Sequence, residues 1–342
     1  MQVTTYQRTE SAEAAAERKP LQAKGSSLKR IADWIKERVE IVDVRSGIYA
    51  RHLVTATLRE LFRFEYPETK WANGEFVAIS TTVDEGATEY SFQELGHVGR
   101  AKIVADNATD LPYAELEGRN NLRAIHTLGI KIQFSTQDVR TARLQGLFDV
   151  ASEKSSAARE GHDFALNDLI RSGDLAAGLD GFINAPGIIV LNAATANWVA
   201  GTAEQIITDV STAINTMIIG SNGVETPNTV VFDLVAWTNV TTRRASTTAP
   251  SDTTILAFLQ QAHPYITNWT WDVGLSTASQ AGGPAVMIFR KDANRQRAIA
   301  PMLLRALPPE QKGLVFEVNF ESRFGGVIVP KPLSVLRLER TT

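Results

Sequence analysis

Residues 136–173, TQDVRTARLQGLFDVASEKSSAAREGHDFALNDLIRSG, run without a proline well past the roughly 8–20 residues of an ordinary globular helix. Ser135 or Thr136 can accept an orphan backbone N–H at the start, and Asp138 suits the positive end of the helix dipole. Arg171 falls in the last turn, and Gly173 follows as a residue that tolerates a left-handed cap. At 1.5 Å per residue the segment predicts a rod of about 50 Å. Leu144, Leu147, Ala151, Ala158, Ala165 and Leu169 recur on one side at helical spacing. Lys154 interrupts that stripe, and Gly146 and Gly161 weaken the rod. Such a rod is either a long core helix in an ordinary enzyme or a mechanical spine.

Downstream, Gly178, Gly181 and Asn184 punctuate a turn before a buried-looking strand at 188–191. Thr202 with Gln205 forms a capping-box signature for a helix carrying Ile206, Ile207, Val210, Ile214 and Ile218. That helix stops at the turn 220–223. Strands at 229–232, 269–273 and 285–289 alternate with helices at 234–241 and 252–262, the latter capped by Ser251. The alternation over 185–304 predicts a compact α/β lobe with a mixed sheet. Leu314, Phe316, Val318 and Phe320 then alternate, and 325–329 with 334–338 complete a β-rich end.

Upstream, residues 1–27 are polar, Ala-rich and broken by Pro20 and Gly25, which reads as a flexible arm. Ile31, Trp34, Ile35 and Val39 form an apolar stripe on a short helix, and a second helix is expected at 49–62. A short buried strand is expected at 76–79. In 86–135, Tyr90, Phe92, Ile103 and Ala105 alternate with polar neighbours on the way out. Ile130, Ile132 and Phe134 alternate with Lys131 and Gln133 on the return. This predicts a long two-stranded ribbon with a polar tip. An isolated ribbon is marginally stable in water. It must lie on a second copy of the protein or pair into the chain's own sheet.

The 342 residues are 44% hydrophobic and 21% charged with net charge −3, as in a soluble folded protein. That charge argues against tight phosphate-dependent nucleic-acid binding. With no cysteine there is no disulfide, iron–sulfur or thiolate zinc site, which fits a reducing cytosol. Neither a signal-peptide core nor a membrane-length apolar run is present. His52, His97, His126, His162 and His263 show no metal-ligand spacing, and His162, Asp163 and Asp168 are not expected to converge. Phosphate loops, dinucleotide fingerprints and nucleophile elbows are absent. Asp106/Asp110 and Glu115/Glu117 are carboxylate pairs without the burial that general acid–base catalysis needs. Arg290, Lys291, Arg295 and Arg297 could meet phosphates or acidic neighbours. No catalytic, metal or cofactor site is assigned, and the chain reads as a building block.

Three pieces, in order, carry a resemblance. They are Tyr90, Glu94, Gly99 to Ile103, Asp106 and Thr109 to Pro112; then Gly178, Gly181, Phe182 and Asn184; then FGGVIVPKP at 324–332. The chain thereby resembles the tailed-bacteriophage major capsid proteins of the HK-ninety-seven-like shell fold. The resemblance implies an α+β fold divided as follows: N-terminal arm, 1–40; peripheral domain, 41–85; extended loop, 86–135; spine helix and further peripheral domain, 136–184; axial domain, 185–304; β-rich peripheral end, 305–342.

It also implies partners: copies of itself in hexamers and pentamers of an icosahedral head, packaged double-stranded DNA held weakly, a portal, and scaffold or decoration proteins. Assembly would occur in the host bacterial cytoplasm, the product being the virion, with no membrane involved. The arm is too short for a built-in scaffolding segment. Trp34, Tyr90, Phe92, Lys102, Asp110, Tyr113, Glu115 and Arg119 are the expected inter-subunit contacts. Some members lock their loops by a Lys–Asn isopeptide bond. Lys102 and Asn120–Asn121 sit on the ribbon, but ordinary salt-bridge contacts are expected there. The alternatives are an encapsulin-like compartment shell, a monomeric hydrolase using carboxylates of 185–304, and a DNA-binding module, the last disfavoured by charge.

Overall fold

The computed structural model describes residues 66–103, 111, 113–145, 150–246 and 253–340. The expected arm, the helices carrying Trp34 and spanning 49–62, Asp106, Asp110 and the Ser251 cap lie outside these residues.

Two helices, Thr136–Gln145 and Val150–Ser172, occupy the proline-free stretch. Residues 146–149 between them lie outside the described set. The start is doubly capped: Ser135 Oγ accepts from Asp138 N–H at 3.1 Å, and Asp138 Oδ2 accepts from Ser135 N–H at 3.1 Å. The buried row of the second helix is Ala158, His162, Leu166 and Ile170, whereas Ala165 is exposed and Leu169 half-buried. The expected stripe is corrected here. Four-residue steps advance about 40° each on a 3.6-residue helix. The covered face therefore turns from the β-sheet, where His162 meets Ser322, to the core around Leu166 and Ile170.

The helix ends at Gly173, whose φ of +71° an L side chain rarely adopts. A Cβ there would lie 2.3 Å from Leu179 O, and one on Gly181 would lie 2.2 Å from Gly173 N. This close crossing forms the small pair Gly173–Asp174 with Leu179–Asp180. It also brings Phe182 N–H to Ile170 O at 2.8 Å and Ile183 N–H to Arg171 O at 3.0 Å. Carbonyls that a helix end leaves unpaired are thus satisfied by the returning chain. Phe182 is carried into the core beside Trp71 and Phe289, with ring centroids 5.5 and 5.0 Å away.

A mixed five-stranded sheet runs in the order Ile189–Asn192, Val335–Glu339, Ala285–Phe289, Thr229–Phe232, Asn268–Trp271. The two outer pairings are parallel and the inner two antiparallel. Its second strand comes from beyond residue 304, outside the stretch expected to build this lobe. Ala285, Met287 and Phe289 face one core with Trp71 and Phe182. Val286 and Ile288 face another, under the helix Ala203–Gly220. Burial on both faces explains the unbroken apolar run AVMIF. Thr202 and Gln205 form the expected capping box. Thr254 caps Ile255–Ala262, accepting from Ala257 N–H at 3.2 Å. Arg340 lies over the Trp198 ring, 4.5 Å from its centroid, and pairs with buried Asp233.

A second sheet centres on Val315–Phe324, with Met302–Ala306 and Glu310–Lys312 along one edge and His126–Ser135 along the other. The return strand of the expected ribbon therefore pairs into the chain's own sheet. The reason is its apolar row. Ile130, Ile132 and Phe134 stand opposite Phe320, Val318 and Phe316, and Phe134 stacks on Phe316 at 5.7 Å. Glu89–Val98 offers no such row. A third sheet joins Ala78–Ser80, Arg297–Ile299 and Val327–Ile328.

Gly173→Ala should destabilise the subunit by about 3 kcal/mol or more, because backbone atoms and not flexible side chains block the new methyl. Gly178→Ala, also at positive φ but facing open space, should cost about 1 kcal/mol. Denaturant midpoints of the two variants test the difference. A second expectation concerns His263, which is buried with Nδ1 2.9 Å from the Tyr265 hydroxyl. Burial holds its pKa below the usual 6.5, so folding favours the neutral ring. The sign follows: its contribution is full above pH 6.5 and is lost as pH falls through the lowered value. Hydrogen-exchange protection factors of 203–220, corrected for the intrinsic slowing of exchange in acid, should fall on acidification, and His263→Gln should flatten that dependence.

Candidate assembly surface

The projecting ribbon consists of Glu89–Val98 paired antiparallel with Glu115–Ala124 along their whole length. At its root it is fastened to the body by one face. Tyr90 is 9% exposed and donates its hydroxyl to Gly325 O at 2.9 Å. A Cβ at Gly325 would lie 2.7 Å from Tyr90 Cε1, so glycine is what lets the ring approach. Burial pushes the Tyr90 pKa up to about 12. Tyr90 clusters with Ile125, Ile299 and Ile328, and Phe92 packs at the edge of that cluster. Arg123 pairs with Asp180 at 2.5 Å, tying the ribbon to the turn after the long helix.

Further out, the two faces differ in chemistry. One carries Glu94, Glu115, Glu117 and Arg119, with Asn121 Nδ2 donating to Glu94 at 3.1 Å. The other carries Leu95, Leu116 and Leu122, which are 67%, 68% and 62% exposed. Tyr113, near the tip, is 88% exposed. Covering each of these leucines is worth about 1.5–3 kcal/mol, and no described part of the chain does so. The five-stranded lobe adds exposed Val199 and Val235 near its helix Leu234–Thr242.

Tyr90 and Phe92 are thus engaged by their own chain. Lys102, Tyr113, Glu115 and Arg119 are exposed on the ribbon or its connection, while Trp34 and Asp110 lie outside the described residues. Leu95, Leu116 and Leu122 escaped the sequence reading. Phasing the alternation on Tyr90 and Phe92 put Leu95 among the polar positions, and the other two sit inside a polar run. The signal available was Leu95 on one face with Leu116 and Leu122, a grouping that only the turn position reveals.

Elsewhere the charged clusters close on themselves. His162 Nε2 lies 2.7 Å from Ser322 Oγ and Nδ1 3.3 Å from Asp163, a closer approach than adjacent helical positions suggested. Asp168 pairs instead with Arg171 at 2.8 Å. Arg295 binds Glu225 and Asp292, each at 2.5 Å, so this basic group meets acidic neighbours within the chain. Among the described residues no cluster of His, Asp and Glu could hold a metal ion, and no helix is long and apolar enough to cross a membrane.

A family model described as major capsid protein matches residues 99–340. The capsid of Myoviridae phage XM1 is similar in structure, with TM-score 0.73 and 16% identity over 85% of this chain and 98% of that one. A chain from Microbacterium phage Oxtober96 gives TM-score 0.60 and 11% identity over 87% and 100%. The capsid of an empty GTA particle gives 0.56 and 14% over 88% and 98%. No curated protein sequence matches. The family match spans most of the chain, and the fold is shared with phage capsid chains: the chain belongs to the major capsid protein family, a family of structural subunits and not of enzymes.

Proposed function

We propose that copies of this chain join as hexamers and pentamers into a closed icosahedral wall around double-stranded DNA. In this reading the ribbon of each copy lies on the next, and the five-stranded lobe surrounds the centre of each ring. The observation that carries it is the leucine row on the outer part of a two-stranded ribbon, which no described residue covers. A net charge of −3 suits a wall that encloses a polyanion without gripping it. Portal and scaffold or decoration proteins are further partners in this proposal, with assembly in the bacterial cytoplasm.

Purified protein should form particles visible by negative-stain microscopy. Leu116→Asp with Leu122→Asp should raise the concentration needed for assembly by two orders of magnitude or more, from about 1.5–3 kcal/mol lost per leucine. The hydrogen-exchange protection of 203–240 should not change. Particles assembling at the wild-type concentration would remove the ribbon from the interface. Protein cargo instead of DNA in native particles would favour a compartment shell over a virus head.

A further inference from the structure

The strand that returns from the ribbon changes its paired edge at Ile125. Ile125 N–H bonds to Thr88 O at 2.8 Å, which puts odd-numbered residues of Glu115–Ala124 in hydrogen-bonded pairs with Glu89–Val98. Beyond it, Thr136 N–H bonds to Leu314 O at 3.0 Å. In the antiparallel register with Val315–Phe324, even-numbered residues of His126–Ser135 therefore supply the shared rungs. Odd-numbered residues point the other way. Lys154 Nζ reaches Gln133 O at 2.7 Å from that open side, and Asp138 takes Ser135 N–H there.

Thr127, Gly129 and Lys131 have no such cover. All three are exposed, and for Gly129 the exposure is of the backbone itself. Among the described residues their outward N–H and C=O groups have no partner. An open edge of this kind is a template for another strand. The chain's own Glu89–Val98 cannot supply it, being paired throughout with Glu115–Ala124.

The same strand in a second copy can. Its outward positions Ser91, Gln93, Leu95 and His97 are also an open edge, from the same alternation. It carries Glu89 and Glu94 and neither Lys nor Arg. The open edge carries Lys131, which shares Glu317 with Lys312 at 3.8 and 2.7 Å, so that group stays net positive, and Lys154 lies beside it. Opposite charge on facing strands is stabilising and like charge is not.

We propose that residues 127–131 accept strand Glu89–Val98 of a second copy by main-chain hydrogen bonding. The ribbon is then held through its edge as well as its leucine face. This inference rests on the shell reading above.

The absence of native cysteine makes the test clean. Single variants Gly129→Cys and Ser91→Cys, Gln93→Cys or Leu95→Cys are made; a Cβ at position 129 has nothing closer than 3.8 Å. Gly129→Cys chains are co-assembled with each of the others, oxidised, and run on a non-reducing gel. Neighbouring strands lie about 4.7–4.9 Å apart, within disulfide reach. The expected result is a covalent dimer in at least one mixture that neither variant gives alone, with none when Asn120→Cys is the partner. Intact particles with no dimer in any mixture, or a dimer only with Asn120→Cys, overturn the edge pairing and leave the shell reading standing. Wild-type protein that builds no particles overturns both.

Discussion

The close crossing of Gly173 and Gly181 governs how the rest of the molecule is arranged. Backbone atoms meet there at distances no Cβ could share. The long helix can therefore end abruptly and the chain can double back against its last turn. Phe182 and Ile183 bond to helix carbonyls, and Phe182 enters the core at the meeting point of Trp71, Ile170 and Phe289. Trp71 extends the junction: its N–H bonds to Asn167 on the helix at 3.1 Å, and its indole N–H to Asp272 beyond the five-stranded sheet at 3.1 Å. Helix and sheet are thus joined by packed side chains and buried hydrogen bonds around one residue.

From that junction the molecule divides its apolar surface unequally. The five-stranded sheet is covered on both sides by its own chain. The long strand from Glu115 to Ser135 is not. Its second half lies under the helix Val150–Ser172, where Gly161 lies near Ile130. Its first half runs out into the ribbon, past the end of that cover. A subunit built this way is complete as a folded object and incomplete as a surface, which is the condition for a wall made of repeated parts.

Local chemistry was legible where a residue's partner is near in sequence. The Ser135–Asp138 and Thr202–Gln205 caps, the left-handed Gly173, the strands at Thr229–Phe232 and Ala285–Phe289, and the mixed character of the lobe all follow from short-range pattern. What depended on distant partners was not. Ile130, Ile132 and Phe134 alternate as a strand of any sheet would, and only the facing row of Phe316, Val318 and Phe320 decides which sheet. His162 concealed the helix's buried side because its polarity is matched by a serine 160 residues away. The ribbon leucines were obscured because the register between Glu89–Val98 and Glu115–Ala124 is set by a connection whose length the alternation does not reveal.

The second position of the five-stranded sheet belongs to Val335–Glu339, with Arg340 packed over Trp198 just behind it. Among the described residues, Ile189–Asn192 pairs with that sheet through this late strand. During synthesis, then, the lobe stays unfinished until translation has passed residue 340 and those residues have cleared the ribosome. Strand order alone thus leaves the sheet's first strand waiting for one made almost 150 residues later.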